Sequence, residues 1–77
     1  MHNDNLPPAL YNGHRLLRIG DVVDLTTLSR SYIYELAGQR RFPRSVPLVP
    51  GGTARAWVYA EIQEWVEGRI AEREMGV

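Results

Sequence analysis

The residues of this chain best equipped for chemistry are arginines and hydroxyl-bearing side chains gathered between Leu28 and Arg55. Arg30, Ser31, Tyr32, Tyr34 and Glu35 fall within one short segment, Leu28–Leu36, and Arg41, Arg44 and Arg55 follow it. A guanidinium presents its donors as a planar fork that matches a phosphate or the edge of a guanine; hydroxyls and carboxylates complete the set that reads base edges. The chemistry such a group can do is recognition of a nucleic acid. Catalysis is not indicated, because no serine or threonine has a histidine in plausible reach and the acids near the C-terminal end are spaced as a solvated helix face. An enzyme is therefore not expected. His2 and His14 have no partner at ligand spacing and cysteine is absent, so neither a metal site nor a disulfide is expected. Gly51-Gly52 lacks the lysine and following helix signal of a phosphate-cradling loop, and no cofactor is implied.

Net charge is zero over the 77 residues, but its distribution is uneven. Residues 15–55 hold seven arginines against Asp21, Asp24 and Glu35, a local net of +4. Residues 56–77 hold Arg69 and Arg73 against five glutamates, a local net of −3. The split suggests a basic working face and an acidic segment held away from it. All nine basic residues are arginine, which suits bidentate contacts to phosphate and guanine, although a GC-rich genome yields the same bias.

Two short helices must position these residues. Ile19, Val22 and Val23 recur at i, i+3 and i+4, predicting a first helix from about Ile19-Gly20 to Thr26-Thr27 with Asp21 and Asp24 outward. Asp21 also suits the positive end of the helix dipole, and the two β-branched threonines favour a turn. Ser29 is a good N-cap for a second helix, with an incomplete capping box because no Glu or Gln stands three residues on. With Ile33 inward, a rotation of about 100° per residue puts Ser29, Leu36, Ala37 and Arg40 on the same inner side. Ser31, Glu35 and Gly38 then point outward, Tyr32 and Tyr34 lie on opposite flanks, and Arg30 lies near the N-terminal edge. Short or polar outward groups let a helix backbone approach base edges closely. The alternative is an amphipathic helix whose outer face meets only water; the neighbouring turn and wing favour the first reading.

Gly38 is expected to end the second helix, Phe42 to plug the core, and Pro43 to force the backbone out of helix. Val46 to Val49 and Ala54 to Val58 read as two strands around Pro50-Gly51-Gly52-Thr53, with Pro47 confining its strand to an edge. Arg44 and Arg55 flank that loop, placed for phosphates or the minor groove. A last helix runs from about Tyr59-Ala60 toward Arg73, with Ile62, Trp65, Val66, Arg69 and Ile70 as a stripe and Glu61, Glu64 and Glu67 outside it. Trp57 and Trp65, among apolar neighbours, read as core anchors rather than stacking platforms. Ile70 and Met75 project beyond what so small a domain covers, inviting a neighbouring protomer or a protein partner. The fold class is mainly α with a small β-hairpin wing, a winged helix-turn-helix. Residues 15–74 form its one domain after a flexible tail over residues 1–14, since 77 residues leave no room for a second core. No apolar run approaches the ~20 residues of a membrane span and no signal-peptide pattern appears, so a cytoplasmic protein is expected, with no membrane partner.

The blocks Arg15-Leu16-Leu17-Arg18-Ile19, Leu28-Ser29-Arg30-Ser31-Tyr32-Ile33-Tyr34, Arg41-Phe42-Pro43, and Trp57 followed by Glu61-Ile62-Gln63-Glu64-Trp65 carry a resemblance. In order and spacing they resemble the winged-helix family of phage excisionases (recombination directionality factors) and AlpA-type prophage regulators, over about residues 15–73. The resemblance implies a MerR-like winged helix that binds double-stranded DNA in the bacterial host cytoplasm, often as several copies side by side. In excisionases such binding bends attachment-site DNA and directs a phage integrase toward excision; AlpA-type members are described as transcriptional regulators. Carried over by position, the resemblance places Arg30, Ser31, Tyr32, Tyr34 and Glu35 on the recognition helix, with Arg44 and Arg55 at the wing; Arg41 joins them as a candidate contact. Glu35 departs from the pattern, since members often carry a basic residue there. Its carboxylate either accepts from a cytosine amino group or lies outside the contact. The expectation is thus a phage or prophage excisionase that binds DNA cooperatively and partners an integrase. An AlpA-type transcription regulator is the nearer alternative. A protein-interaction adaptor, binding through the acidic last helix, is the alternative from another class, and a salt titration of DNA binding separates it from a binder.

Overall fold

Residues 15–76 are described by a computed structural model; the expected tail, residues 1–14, lies outside them. The element order is β1 (Leu16–Leu17), α1 (Ile19–Thr26), α2 (Arg30–Gly38), β2 (Val46–Pro47), β3 (Arg55–Val58) and α3 (Tyr59–Glu74). The strands form one antiparallel sheet in the order β1-β3-β2. Mainly helical, with a small β wing, the chain has the winged-helix architecture expected from its sequence.

Helix α1 begins where Arg18 is extended and its N–H donates to Asp21 Oδ2 at 3.1 Å. An arginine side chain has no acceptor to return that bond, so Asp21 supplies one half of a capping box. Val22 is fully buried, and Ile19 and Val23 pack beside it. The helix stops at Thr27, whose φ of 63° is left-handed. Thr27 N–H donates to Val23 O at 2.7 Å, while Thr26 Oγ1 donates to Val22 O and accepts from Leu28 N–H. The threonines therefore make the hydrogen bonds of the turn between the helices, at the strain of a β-branched residue with positive φ.

Helix α2 is capped as the sequence predicts: Ser29 Oγ accepts from Tyr32 N–H at 3.1 Å. Its other end is a Schellman motif. Arg41 N–H donates to Leu36 O at 2.8 Å, Arg40 N–H to Ala37 O at 3.0 Å, and Arg40 takes a φ of 61°. Two residues expected on the inner side are consequently exposed. The left-handed turn swings Arg40 out of helical register, and Ser29 serves the helix terminus.

Leu17, Val22, Ile33, Leu36, Phe42, Trp57 and Ile62 make the core. Phe42 meets Trp65 edge-on, with centroids 4.8 Å apart. Trp57 is 2% exposed and its indole Nε1 is buried without a hydrogen-bond partner among the described residues. Leaving that donor unpaired costs about 1–3 kcal/mol, less than the roughly 4–6 kcal/mol gained by burying a tryptophan surface.

Strand β1 is not legible as periodicity, because two residues cannot show an alternation. It pairs Leu16 with Val58 and Leu17 with Trp57, and Tyr59 N–H donates to Arg15 O at 2.7 Å. The wing strands are shorter than the spans expected. Pro47 cannot donate, so β2 ends there on the sheet edge, and only the Leu48 N–H to Ala54 O bond continues the pairing. The turn closes at Val49–Gly52, one residue earlier than expected, with Gly52 N–H on Val49 O and Gly51 at φ 77°. Pro50 presets the preceding φ.

On α3, Ile62 is buried and Trp65 and Val66 are half-buried, whereas Arg69 and Ile70 are exposed. The expected stripe keeps its angular register, but nothing among the described residues covers it past Val66.

Candidate nucleic-acid interface

The outer face of α2 is built from small and polar groups. Ser31, Glu35 and Gly38 are exposed along it, and Arg30 is exposed in the first turn. A Cβ added at Gly38 would meet open space, so that glycine answers no packing demand and leaves the backbone bare. Tyr34 and Tyr32 are each about half exposed on opposite flanks. The Tyr34 ring lies 6.1 Å from Trp57, which fixes it on the side of the sheet.

The wing stands on that same side. A cleft between the end of α2 and the wing is lined by Ala37, Gly38, Arg44, Ser45, Pro47 and Arg55. Arg55 is held in place there. Its Nε donates to Ser45 Oγ at 2.5 Å and its Nη2 to Ser45 O at 3.2 Å, and the rest of its five-donor fork is unengaged among the described residues. A second cleft joins Arg55 and Thr53 of the wing to Tyr34 and to Arg18, Gly20 and Asp21 at the start of α1. Arg18 therefore belongs with the wing arginines. From the sequence it belongs to the Arg15–Ile19 block and carries no expected contact.

Tyr32 and Arg41 lie on the opposite flank, away from Arg44 and Arg55. They line a cleft with Leu28, Leu36, Trp65 and Arg69. The Trp65 indole donates to Arg41 O at 2.9 Å and so ties the end of the α2 turn to α3. The eight residues singled out from the sequence are thus brought to one helix face and two flanks rather than to a single patch. Arg69, read from the sequence as part of an inward stripe, is an exposed member of the second flank. Its place was recoverable from its spacing, since it stands one helical turn beyond Trp65.

Charge is only partly segregated. Arg40 and Arg41 share a cleft with Glu61 and Glu64 around Phe42, Pro43 and Trp65. On the wing side the acid in reach is Asp21, whose carboxylate already accepts from the Arg18 N–H. No polar or charged residue is buried among the described residues, so every one of these guanidiniums stays in contact with water. Among the described residues there is no group of His, Cys, Asp and Glu that could hold a metal ion. No helix there is long and apolar enough to cross a membrane.

Comparison with known proteins adds two matches to this geometry. A family model described as prophage CP4-57 regulatory protein (AlpA) matches residues 15–70. An uncharacterized protein of Enterobacteria phage P4, ORF88, is 47% identical over 62 residues, which cover 80% of this chain and 68% of the relative. No solved structure matches significantly. The matched span begins at the first described residue and contains both flanks of α2 and the whole wing.

Proposed function

Because the chain belongs to the AlpA family of prophage regulatory proteins, we propose that it binds double-stranded DNA, with α2 entering the major groove and the wing resting on the backbone. The observation that carries this reading is the face of α2. It is capped, bare at Gly38, polar at Ser31 and Glu35, and set beside a tethered Arg55 and an exposed Arg44. Arg30 and Ser31, at the N-terminal end of α2, reach base edges; Tyr34 and Glu35 line the approach; Arg44, Arg55 and Arg18 take phosphates. In the host cytoplasm the protein acts on phage DNA with no cofactor.

The action we propose for the bound protein is that of an excisionase. Several copies bind side by side, helix and wing clamp the groove, and the row of clamps bends the attachment site at a cost of order 1–6 kcal/mol. Contacts with the integrase offset that cost in the excisive complex. A second reading, control of a promoter, is favoured by the description of the family as regulatory proteins. In vitro recombination with the cognate integrase and attachment sites separates the two. Excisionase action requires excision to rise and integration to fall when the protein is added. No change in either, together with repression or activation of a nearby promoter, identifies the regulator.

A further inference from the structure

We infer that Arg69 on α3, together with Arg41 and Tyr32, forms a second phosphate-binding flank, so that the DNA backbone is held on both sides of the groove that α2 enters. The inference rests on the DNA-binding reading above and adds a contact from an element outside the helix-turn-helix and the wing.

Three observations place it. Around the axis of α2, Tyr34 and Ala37 turn toward the wing, while Tyr32 and Leu36 turn toward α3. The exposed face at Ser31, Glu35 and Gly38 therefore lies between two walls. One wall carries Arg44 and Arg55, and the other carries Arg41 and Arg69. Second, the hydrogen bond from Trp65 Nε1 to Arg41 O fixes the position of α3 against the end of α2, and Arg69 follows Trp65 by one turn on the same side. The guanidinium of Arg69 is thus delivered to this flank by a rigid helix rather than by a loop. Third, the Arg69 side chain is half exposed and, among the described residues, pairs only with Glu72 on its own helix, one turn away. An exposed pair of that kind is worth little, so a phosphate can displace Glu72. Tyr32, about half exposed in the same cleft, adds a hydroxyl donor. Arg41 donates to Gln39 Oε1 through one Nη and keeps its other donors.

A strand of DNA held by the wing and the opposing strand held by Arg69 and Arg41 would fix the depth of α2 in the groove from both edges. The chemistry required is that of a phosphodiester anion meeting a guanidinium fork.

The test is DNA binding by the full chain across a salt series, with Arg69→Gln, Glu72→Gln, Arg44→Gln and wild type. Arg69→Gln should make the slope of log K against log salt shallower by about 0.9, the share of one phosphate, with thermal stability unchanged because Arg69 is exposed. Glu72→Gln should tighten binding at low salt by freeing Arg69. Methylphosphonate substitution at single phosphates on each strand supplies the second readout. Arg69→Gln should become insensitive to neutralisation on one strand while keeping its sensitivity on the strand the wing holds. A slope unchanged in Arg69→Gln but shallower in Arg44→Gln overturns the second flank and leaves the DNA-binding reading standing. Slopes unchanged in both variants overturn the DNA-binding reading itself.

Discussion

Ser45→Ala separates charge from pre-organisation at the wing. Ser45 holds Arg55 twice, through Oγ on Nε and through its own carbonyl on Nη2. The substitution deletes the first tether, keeps the second, and leaves the arginine charge untouched. A free arginine side chain carries about 2 kcal/mol of rotamer entropy, and losing one of two tethers returns about half of it. Binding should therefore weaken by about 1 kcal/mol, roughly fivefold, at every salt concentration, with the salt slope unchanged because the number of phosphates neutralised is unchanged. Arg55→Gln should behave differently. It removes one phosphate partner, lowers the slope by about 0.9, and so loses a salt-dependent factor of about 3.5 over a fourfold change in salt. Fluorescence anisotropy on specific and on scrambled duplexes, across a salt series, measures both quantities. Because phosphate contacts carry no sequence information, both variants should weaken specific and scrambled duplexes alike. Wild-type affinity in Ser45→Ala alongside a weakened Arg55→Gln would refute the pre-organisation argument. A slope change in Ser45→Ala as large as that in Arg55→Gln would show that the serine holds more of the wing than one side chain.

The other expectations follow from the same geometry. Arg30→Ala should cost about 1–3 kcal/mol of site-specific binding with scrambled-duplex binding and thermal stability little changed; unchanged specific affinity with a lower melting temperature would make α2 a structural helix only. Thr27→Gly should raise stability by about 1 kcal/mol in denaturant unfolding, because the left-handed φ of 63° strains a β-branched residue and suits glycine; a loss of stability would show that the hydroxyl bond to Thr26 O outweighs the strain. Ile70→Ser combined with Met75→Ser, the first exposed on α3 and the second exposed just past its end, should lower cooperativity on tandem sites while sparing single-site affinity. Independent occupancy of adjacent sites by the wild-type protein in footprinting would remove the basis for that last expectation.

What the sequence made legible is what local rules control. The cap at Ser29, the apolar positions Val22, Ile33, Leu36 and Ile62, the plug at Phe42 and the helix stop at Gly38 each depend on a few neighbouring residues, and each stands where expected. The shortfalls have a common cause in long-range contact. Strand β1 exists only through its pairing with β3, some 40 residues on, and two residues cannot announce it. The placement of Arg41 against α3 depends on the bond between Trp65 and Arg41, 24 residues apart. Arg69 was read as inward because helical periodicity gives an angle but not the point at which the core stops covering it. Past Val66 the angle is right and, among the described residues, the cover is missing.

The zero net charge takes on a definite meaning once the acids are located. If α3 merely cancelled the basic residues, every arginine would have a carboxylate near it. Instead Glu61 and Glu64 stand beside Arg40 and Arg41, and Glu72 pairs with Arg69, whereas the cleft of Arg44 and Arg55 is lined by no acid and Arg55 meets Asp21 across a second cleft, where that carboxylate already accepts from the Arg18 N–H. The two flanks of α2 are therefore unequal. In the proposed complex the wing flank, with one tethered guanidinium, captures phosphate first. On the α3 flank a phosphate must displace or sit close to carboxylates, which weakens capture and makes it more dependent on position. In the proposed complex, one strong and one conditional flank would allow loose binding by the wing anywhere on a duplex. Closure of the second flank then belongs to sites where α2 has seated fully, which couples backbone contact to base recognition without a further base-reading residue.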